Sequence, residues 1–175
     1  IKIFKNANGT YESMLQRVYR QIRTVDADAS VTVATAKTQV SAICNQLGDN
    51  VSISVEPCRR DTFPAIALST CYLHDVLGIS EEEAVVICPV DPYVEKEYFV
   101  ALQELAKLAE QEDSGLVLLG ITPTYPSEKY GYIIPETDVE VSRVKTFKEK
   151  PDAATAAEYI SCGALWNGGV FACKI

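Results

Sequence analysis

Asp91 closes an apolar stretch in CPVDPYV. A lone carboxylate there can hold a hard cation such as Mg²⁺, usually together with substrate phosphates. It can equally be a turn or helix-capping acid, since Pro92 follows and aspartate favours turns. In FKEKPD, Glu149 and Lys150 set an acceptor beside a cation. Lys150 can meet a phosphate as a point charge, and Glu149 can accept hydrogen bonds from sugar hydroxyls. Neighbours on a strand point to opposite faces, so both reach one ligand only where the strand ends or bulges. Pro151 favours an ending; the alternative is a solvated, charged strand end. Gly131, between Tyr130 and Tyr132, either lets a ligand approach the backbone closely or is a hairpin glycine. Asn167-Gly168-Gly169, after Trp166, offers a two-way hydrogen-bonding amide or a plain tight turn.

A further cluster lies in EPCRRDTFPAI. Asp61 or Thr62 can cap a helix whose first turn tolerates Pro64. That leaves Arg59 and Arg60, which could meet phosphates or stack on a base. His74 is the single histidine and lies within a helical pattern, where packing or surface exposure outweighs a general-base role. No Ser-His-Asp set, HExxH, GxGxxG or Walker A sequence occurs, so covalent hydrolase and P-loop chemistries have little support.

These groups need elements to position them, and the chain alternates accordingly. SMLQRVYRQI, with Leu15, Val18 and Ile22 at helical spacing, reads as an amphipathic helix. SVTVAT is a strand, 37–47 a helix stopped by Gly48, and VSISV a strand. TFPAIALSTCYLHDVL is apolar on most sides and reads as a buried helix. AVVICPV is a continuous apolar run, expected of a central strand covered on both faces. Residues 96–112 form a helix with Phe99, Leu102, Ala106 and Ala109 on one stripe, and GLVLLGI is another buried strand. The order implies an α/β fold, a doubly wound, mostly parallel sheet. TPTYPSEKYG is then a loop, YGYIIPE and VSRVKTFKEK an added antiparallel hairpin, DAATAAEYIS a helix capped by Asp152, and ALWNGGVFACKI a strand. Ligands bind outside the carboxyl ends of strands in such sheets, and the polar clusters fall there.

The 175 residues suit one domain, are 47% hydrophobic and carry a net charge of −8. That charge argues against a broad nucleic-acid-binding face, although a pocket can still be locally positive. No apolar run reaches membrane-span length, and IKIFKNANGT does not read as a signal peptide. The six cysteines form no CxxC pair and read mostly as small core residues in a reducing cytoplasm, with Cys58 beside the arginines set apart.

Taken in order, EPCRRDTFPAIAL, CPVDPYV, LLGITPTYPSEKYGYI, FKEKPD and LWNGGVF resemble bacterial mannose-1-phosphate guanylyltransferases, or GDP-mannose pyrophosphorylases. The resemblance spans essentially the whole chain. It implies a Rossmann-like nucleotidyltransferase domain that converts mannose 1-phosphate and GTP to GDP-mannose and pyrophosphate. The sugar phosphate oxygen would attack the α-phosphorus in line, without a covalent enzyme intermediate, with Mg²⁺ as cofactor. By position, Asp91 matches the magnesium aspartate and Lys150 the lysine at the sugar phosphate. Glu149 matches the acid that reads mannose hydroxyls. Gly131 and Tyr132 match the Gly-Tyr pair at sugar and phosphate, and Asn167 and Gly168 line the sugar pocket. Glu56, Arg59, Arg60, Asp61 and Thr62 would wall the guanine and ribose. A cytoplasmic enzyme is implied, with no nucleic-acid or membrane partner, and a homodimer is an assembly it allows.

Two departures stand out. Pro92 replaces the family's histidine after the metal aspartate. The chain is also expected to begin just after the family's glycine-rich loop, and to end before a second metal-binding aspartate and a C-terminal part. Two other functions are weighed beside the enzyme: a non-catalytic sugar-nucleotide-binding module, and a nucleotidyltransferase for another sugar phosphate.

Overall fold

A computed structural model describes residues 3–6, 9–111 and 115–175. The chain forms two compact units, Val117–Phe171 and the remainder. Among the described residues no helix is long and apolar enough to cross a membrane.

The first unit opens with an antiparallel ribbon of β1 (Ile3–Lys5) and β2 (Tyr11–Ser13). Helix α1 (Met14–Val25) follows at once because Ser13 closes a capping box with Gln16. The Gln16 N–H donates to Ser13 Oγ at 3.1 Å, and the Ser13 N–H donates to Gln16 Oε1 at 2.9 Å. Two of the helix's four orphan N-terminal donors are satisfied this way. Strand β3 (Thr32–Ala36), helix α2 (Val40–Leu47) and strand β4 (Ser52–Glu56) form a β-α-β unit, with β3 and β4 paired in parallel. Gly48, at φ 57°, ends α2 as expected. The unit continues through α3 (Thr62–Cys71), β5 (Ala84–Ile87) and α4 (Lys96–Gln111). The last residue expected in that final helix, 112, lies outside the described residues. Helices α1 and α4 pack together, burying Met14 and Val18 against a stripe of Phe99, Leu102, Leu105 and Ala109. Leu105 takes the place expected of Ala106 on this stripe, and each large side chain buried contributes about 1.5–3 kcal/mol.

Three expectations fail here. Helix α3 has no buried residue, and Phe63 is 79% exposed. Apolar composition makes a helix able to be buried, but only a packed neighbour buries it. Strand β5 is half-buried along its whole length rather than covered on both faces. None of the six cysteines is buried: Cys44, Cys58, Cys71 and Cys162 are exposed, and Cys88 and Cys173 are intermediate. His74 is a surface residue, as expected. It lies in a π-helical turn, Tyr72–Val76, with Asp75 at 2.8 Å raising its pKa through a hydrogen bond.

Glu12 and Arg20 make a two-pronged ion pair at 2.8 and 3.1 Å beside the start of α1. The hydrogen bond from Arg20 holds the largely buried Glu12 carboxyl below its ordinary 4.5. A depressed folded pKa gives stability that is complete above the unfolded pKa and lost as pH falls through the folded one. The stability gap between the wild type and Arg20→Met should therefore be open at neutral pH and close below about pH 4.5. Thermal melts from about pH 3 to 7 check this. A gap unchanged at the acid end would mean the pair contributes nothing.

The second unit is built on β9 (Leu165–Lys174), which pairs with β6 (Val117–Ile121) and with β7 (Gly131–Pro135). Strand β7 pairs antiparallel with β8 (Val144–Glu149), the expected hairpin. Helix α5 (Ala153–Ser161) starts where Asp152 Oδ1 accepts the Thr155 N–H at 2.9 Å. Its Ala156 packs with Tyr132 and Ala164 in a small core edged by Tyr159 and Trp166. The end of β9, Ala172–Lys174, and Ile175 after it belong to the first unit.

Candidate active site

In the first unit, β4 ends at Glu56 and the chain turns through Pro57–Asp61 into α3. The turn frames an open depression of 610 Å³ lined by Glu56, Arg59, Arg60, Asp61 and Thr62, so these five expected residues do meet. Arg59 and Arg60 are exposed and have no hydrogen-bond or ion-pair partner among the described residues. Asp61 holds the N-cap position but does not cap: it sits at φ 67°, ψ −174°, and its side chain accepts no helix N–H. For a residue other than glycine that backbone costs on the order of 1–3 kcal/mol, and such strain concentrates at functional sites.

Asp91 lies four residues beyond β5, in a segment outside any strand or helix. Its carboxylate is exposed and accepts no hydrogen bond among the described residues, so it does not act as a hydrogen-bonded turn or cap acid there. Tyr98, in the first turn of α4, was not singled out from sequence. Its hydroxyl is buried without a partner among the described residues, and its pKa is pushed up, first by burial, then by Cys88 and Asp91. No local pattern in the sequence points to it, because Asp91 precedes α4 and shares no helical period with Tyr98.

In the second unit the register gathers several expected residues. Gly131 pairs with Glu149 across β7–β8, and Tyr132 with Trp166 across β7–β9. The second ladder stops at Tyr132 and Trp166; continuing its antiparallel register by one residue would set Asn167 opposite Gly131. In that register Glu149, Gly131 and Asn167 would lie in a row across three strands on one face. Gly131 is the notch in this row: a Cβ there would lie 2.7 Å from Glu149 Oε2 and 2.6 Å from Phe147 Cζ. Asn167 Oδ1 accepts the Gly169 N–H at 3.0 Å, and its amide nitrogen has no partner among the described residues. The Asn167-Gly168-Gly169 run is not a tight turn. It lies inside β9, with an irregularity at Gly169, φ 72°. A Cβ at Gly168 would come within 2.6 Å of Ile121 Cδ1, so the tip of that exposed side chain would have to shift.

Strand β8 ends at Glu149, and Lys150 turns back at φ 43°. Its N–H donates to Tyr130 O at 3.2 Å, and its Nζ lies 3.0 Å from Glu149 Oε1. The strand ending therefore brings acid and cation to one place, as the Pro151 argument requires. Tyr132 goes the other way. Its side chain is fully buried on the α5 face and its hydroxyl is taken up by Ser127, so only its backbone is open to a ligand. Trp166, between Tyr125 and Tyr130 at 5.1 and 4.9 Å, holds a buried indole N–H without a partner among the described residues.

The profile of the Nucleotidyl transferase family matches residues 2–175. The alginate biosynthesis protein AlgA of Pseudomonas aeruginosa is 36% identical over 127 residues, covering 69% of this chain and 25% of AlgA. The xanthan biosynthesis protein XanB of Xanthomonas campestris is 33% identical over 163 residues, covering 91% of this chain and 34% of XanB. A mannose-1-phosphate guanylyltransferase of Escherichia coli is 33% identical, covering 73% of this chain and 28% of that enzyme. The chain thus spans about a quarter to a third of these relatives. A solved structure described as mannose-1-phosphate geranyltransferase from Thermus thermophilus superposes with a TM-score of 0.77 at 31% identity, over 98% of this chain and 49% of that one. One described as mannose-6-phosphate isomerase from Helicobacter pylori, at 22% identity and TM-score 0.72 over 93% of this chain and 62% of that one, shares the fold.

Proposed function

Because the chain belongs to the nucleotidyl transferase family, we propose that the protein carrying it transfers GMP from GTP to mannose 1-phosphate, giving GDP-mannose and pyrophosphate. The observation that carries this reading is the Gly131–Glu149 pair with Lys150 turned in beside it, and Asn167 next to Trp166 on the neighbouring strand. It offers a carboxylate and an amide to sugar hydroxyls, room for a ring against the Gly131 backbone, and an ammonium for the phosphate. The sugar phosphate oxygen forms the new bond to the α-phosphorus as the bond to pyrophosphate breaks. No proton has to be taken by a side chain, which suits a site without a nucleophile-base pair.

Arg59 and Arg60, without an ion-pair partner among the described residues beside the 610 Å³ depression, serve the nucleotide by charge or by stacking. Asp91 fits a magnesium ligand: its carboxylate is exposed and accepts no hydrogen bond among the described residues, and one carboxylate plus substrate phosphates is a common Mg²⁺ set. An ion held there would neutralise phosphate charge. Lys150 and the arginines bind and orient the reactants, and much of the rate gain comes from that positioning.

The full-length protein should release pyrophosphate from GTP and mannose 1-phosphate with Mg²⁺. If glucose 1-phosphate with UTP or dTTP reacts faster, the mannose-guanine assignment is wrong. If GDP-mannose binds without any turnover, the protein is a binding module.

A further inference from the structure

Tyr132 has no role in the reaction above, yet it is the largest fully buried side chain. Its hydroxyl makes two bonds to a single residue. The Ser127 N–H donates to it at 2.9 Å, and it donates to the Ser127 carbonyl at 2.9 Å. Ser127 is itself 3% exposed, and its Oγ accepts the Lys129 N–H at 3.2 Å. The loop 122–130 contains two prolines and belongs to no strand or helix. Few of its backbone groups have partners in a ladder, so the bonds it receives from the core weigh heavily on its path, beside the packing of Tyr125 and Tyr130 on Trp166. That path ends at Tyr130, whose carbonyl accepts the N–H of Lys150 at 3.2 Å, where Lys150 is held at φ 43°.

We propose that Tyr132 is a positioning residue: its hydroxyl locks Ser127, and the locked loop lets Tyr130 hold Lys150 for the phosphate of the sugar substrate. The inference rests on the proposed reaction for its substrate, and on the hydrogen bonds alone for the lock. Without the hydroxyl, the buried N–H and C=O of Ser127 lose the partner they share. The loop then moves toward water, Tyr130 moves with it, and the strained backbone of Lys150 relaxes.

Tyr132→Phe in the full-length protein is the test, because it keeps the ring and removes the two bonds. The KM for mannose 1-phosphate should rise about tenfold, as expected for a lost charge-assisted contact, while the KM for GTP stays within about twofold. Hydrogen exchange should show the Ser127 and Lys150 amides protected in the wild type and both exposed in the variant. Trypsin should cut after Lys129 faster. A lower melting temperature with both KM values and the Lys150 amide unchanged would overturn the proposal, since Tyr132 would then be structural only. An equal rise in both KM values would overturn it too, as general loosening. If the variant does not fold, the wild-type exchange decides: a Ser127 amide as open as those of exposed loops refutes the lock. If the parent shows no guanylyl transfer, the reaction assignment fails, and the Lys150 amide in the variant still judges the positioning.

Discussion

Asp91→Asn is expected to cut guanylyl transfer by about two to three orders of magnitude, the scale on which removing one charge-stabilising group acts. The melting temperature should not change. Asparagine keeps the shape and an acceptor oxygen but loses the negative charge that a hard divalent cation requires. The Asp91 side chain is exposed and accepts no hydrogen bond among the described residues, so the amide leaves nothing unsatisfied. Substitutions away from such features stay within about 0.5 kcal/mol. The fold does feel this carboxylate in one place: it helps to hold the Tyr98 hydroxyl above its ordinary pKa, behind burial and Cys88. Pyrophosphate release measured across a Mg²⁺ titration separates the possibilities. A lower rate that more Mg²⁺ partly restores places Asp91 on the metal. Near-normal turnover at low Mg²⁺ removes it from the site, and a lost melting transition would make it a structural turn acid after all.

The alternation of strands and helices was legible because it is written in local periods. Leu15, Val18 and Ile22 mark α1, and Phe99, Leu102 and Ala109 mark the buried side of α4. Caps were legible where one side chain suffices, as at Asp152. Asp61 shows the limit: its type suits a cap, but the backbone at φ 67° aims the carboxylate elsewhere. Burial was legible only where period and partner agree. Helix α3 is apolar on all sides, which gives no direction, and nothing in its own residues says how much of it a neighbour covers. Within the site, the Glu149-Lys150 pair was readable because Pro151 announces a strand ending. The row of Glu149, Gly131 and Asn167 was not, since it depends on the register of three strands far apart in sequence. Tyr132 was placed at a ligand by the family resemblance, although strand alternation sends adjacent side chains to opposite faces.

Gly131→Ala should separate recognition from stability within that row. A methyl group at Gly131 would come within 2.6 Å of Phe147 Cζ and 2.7 Å of Glu149 Oε2, both well inside contact distance. Neither obstacle is backbone. Phe147 is 41% exposed and the Glu149 side chain 56% exposed, so each can swing outward at little cost to the fold. The damage is therefore functional: the carboxylate leaves the place where it faces a sugar, and the methyl group fills the space a ring would occupy. Hydrogen bonds to a charged acceptor are worth about 1.5–3 kcal/mol, or about 10- to 100-fold in kcat/KM for mannose 1-phosphate. The KM for GTP should hold, and the melting temperature should move by no more than a few degrees, roughly the effect of 1 kcal/mol or less. Phe147→Ala supplies the control, because it removes one of the two clashes and leaves Glu149 in place. Combined with Gly131→Ala it should restore little activity if Glu149 is the group that matters, and much of it if the ring was the obstacle. Unchanged kinetics in Gly131→Ala would mean that no sugar approaches this face, and the assignment of Glu149 and Asn167 would fall with it.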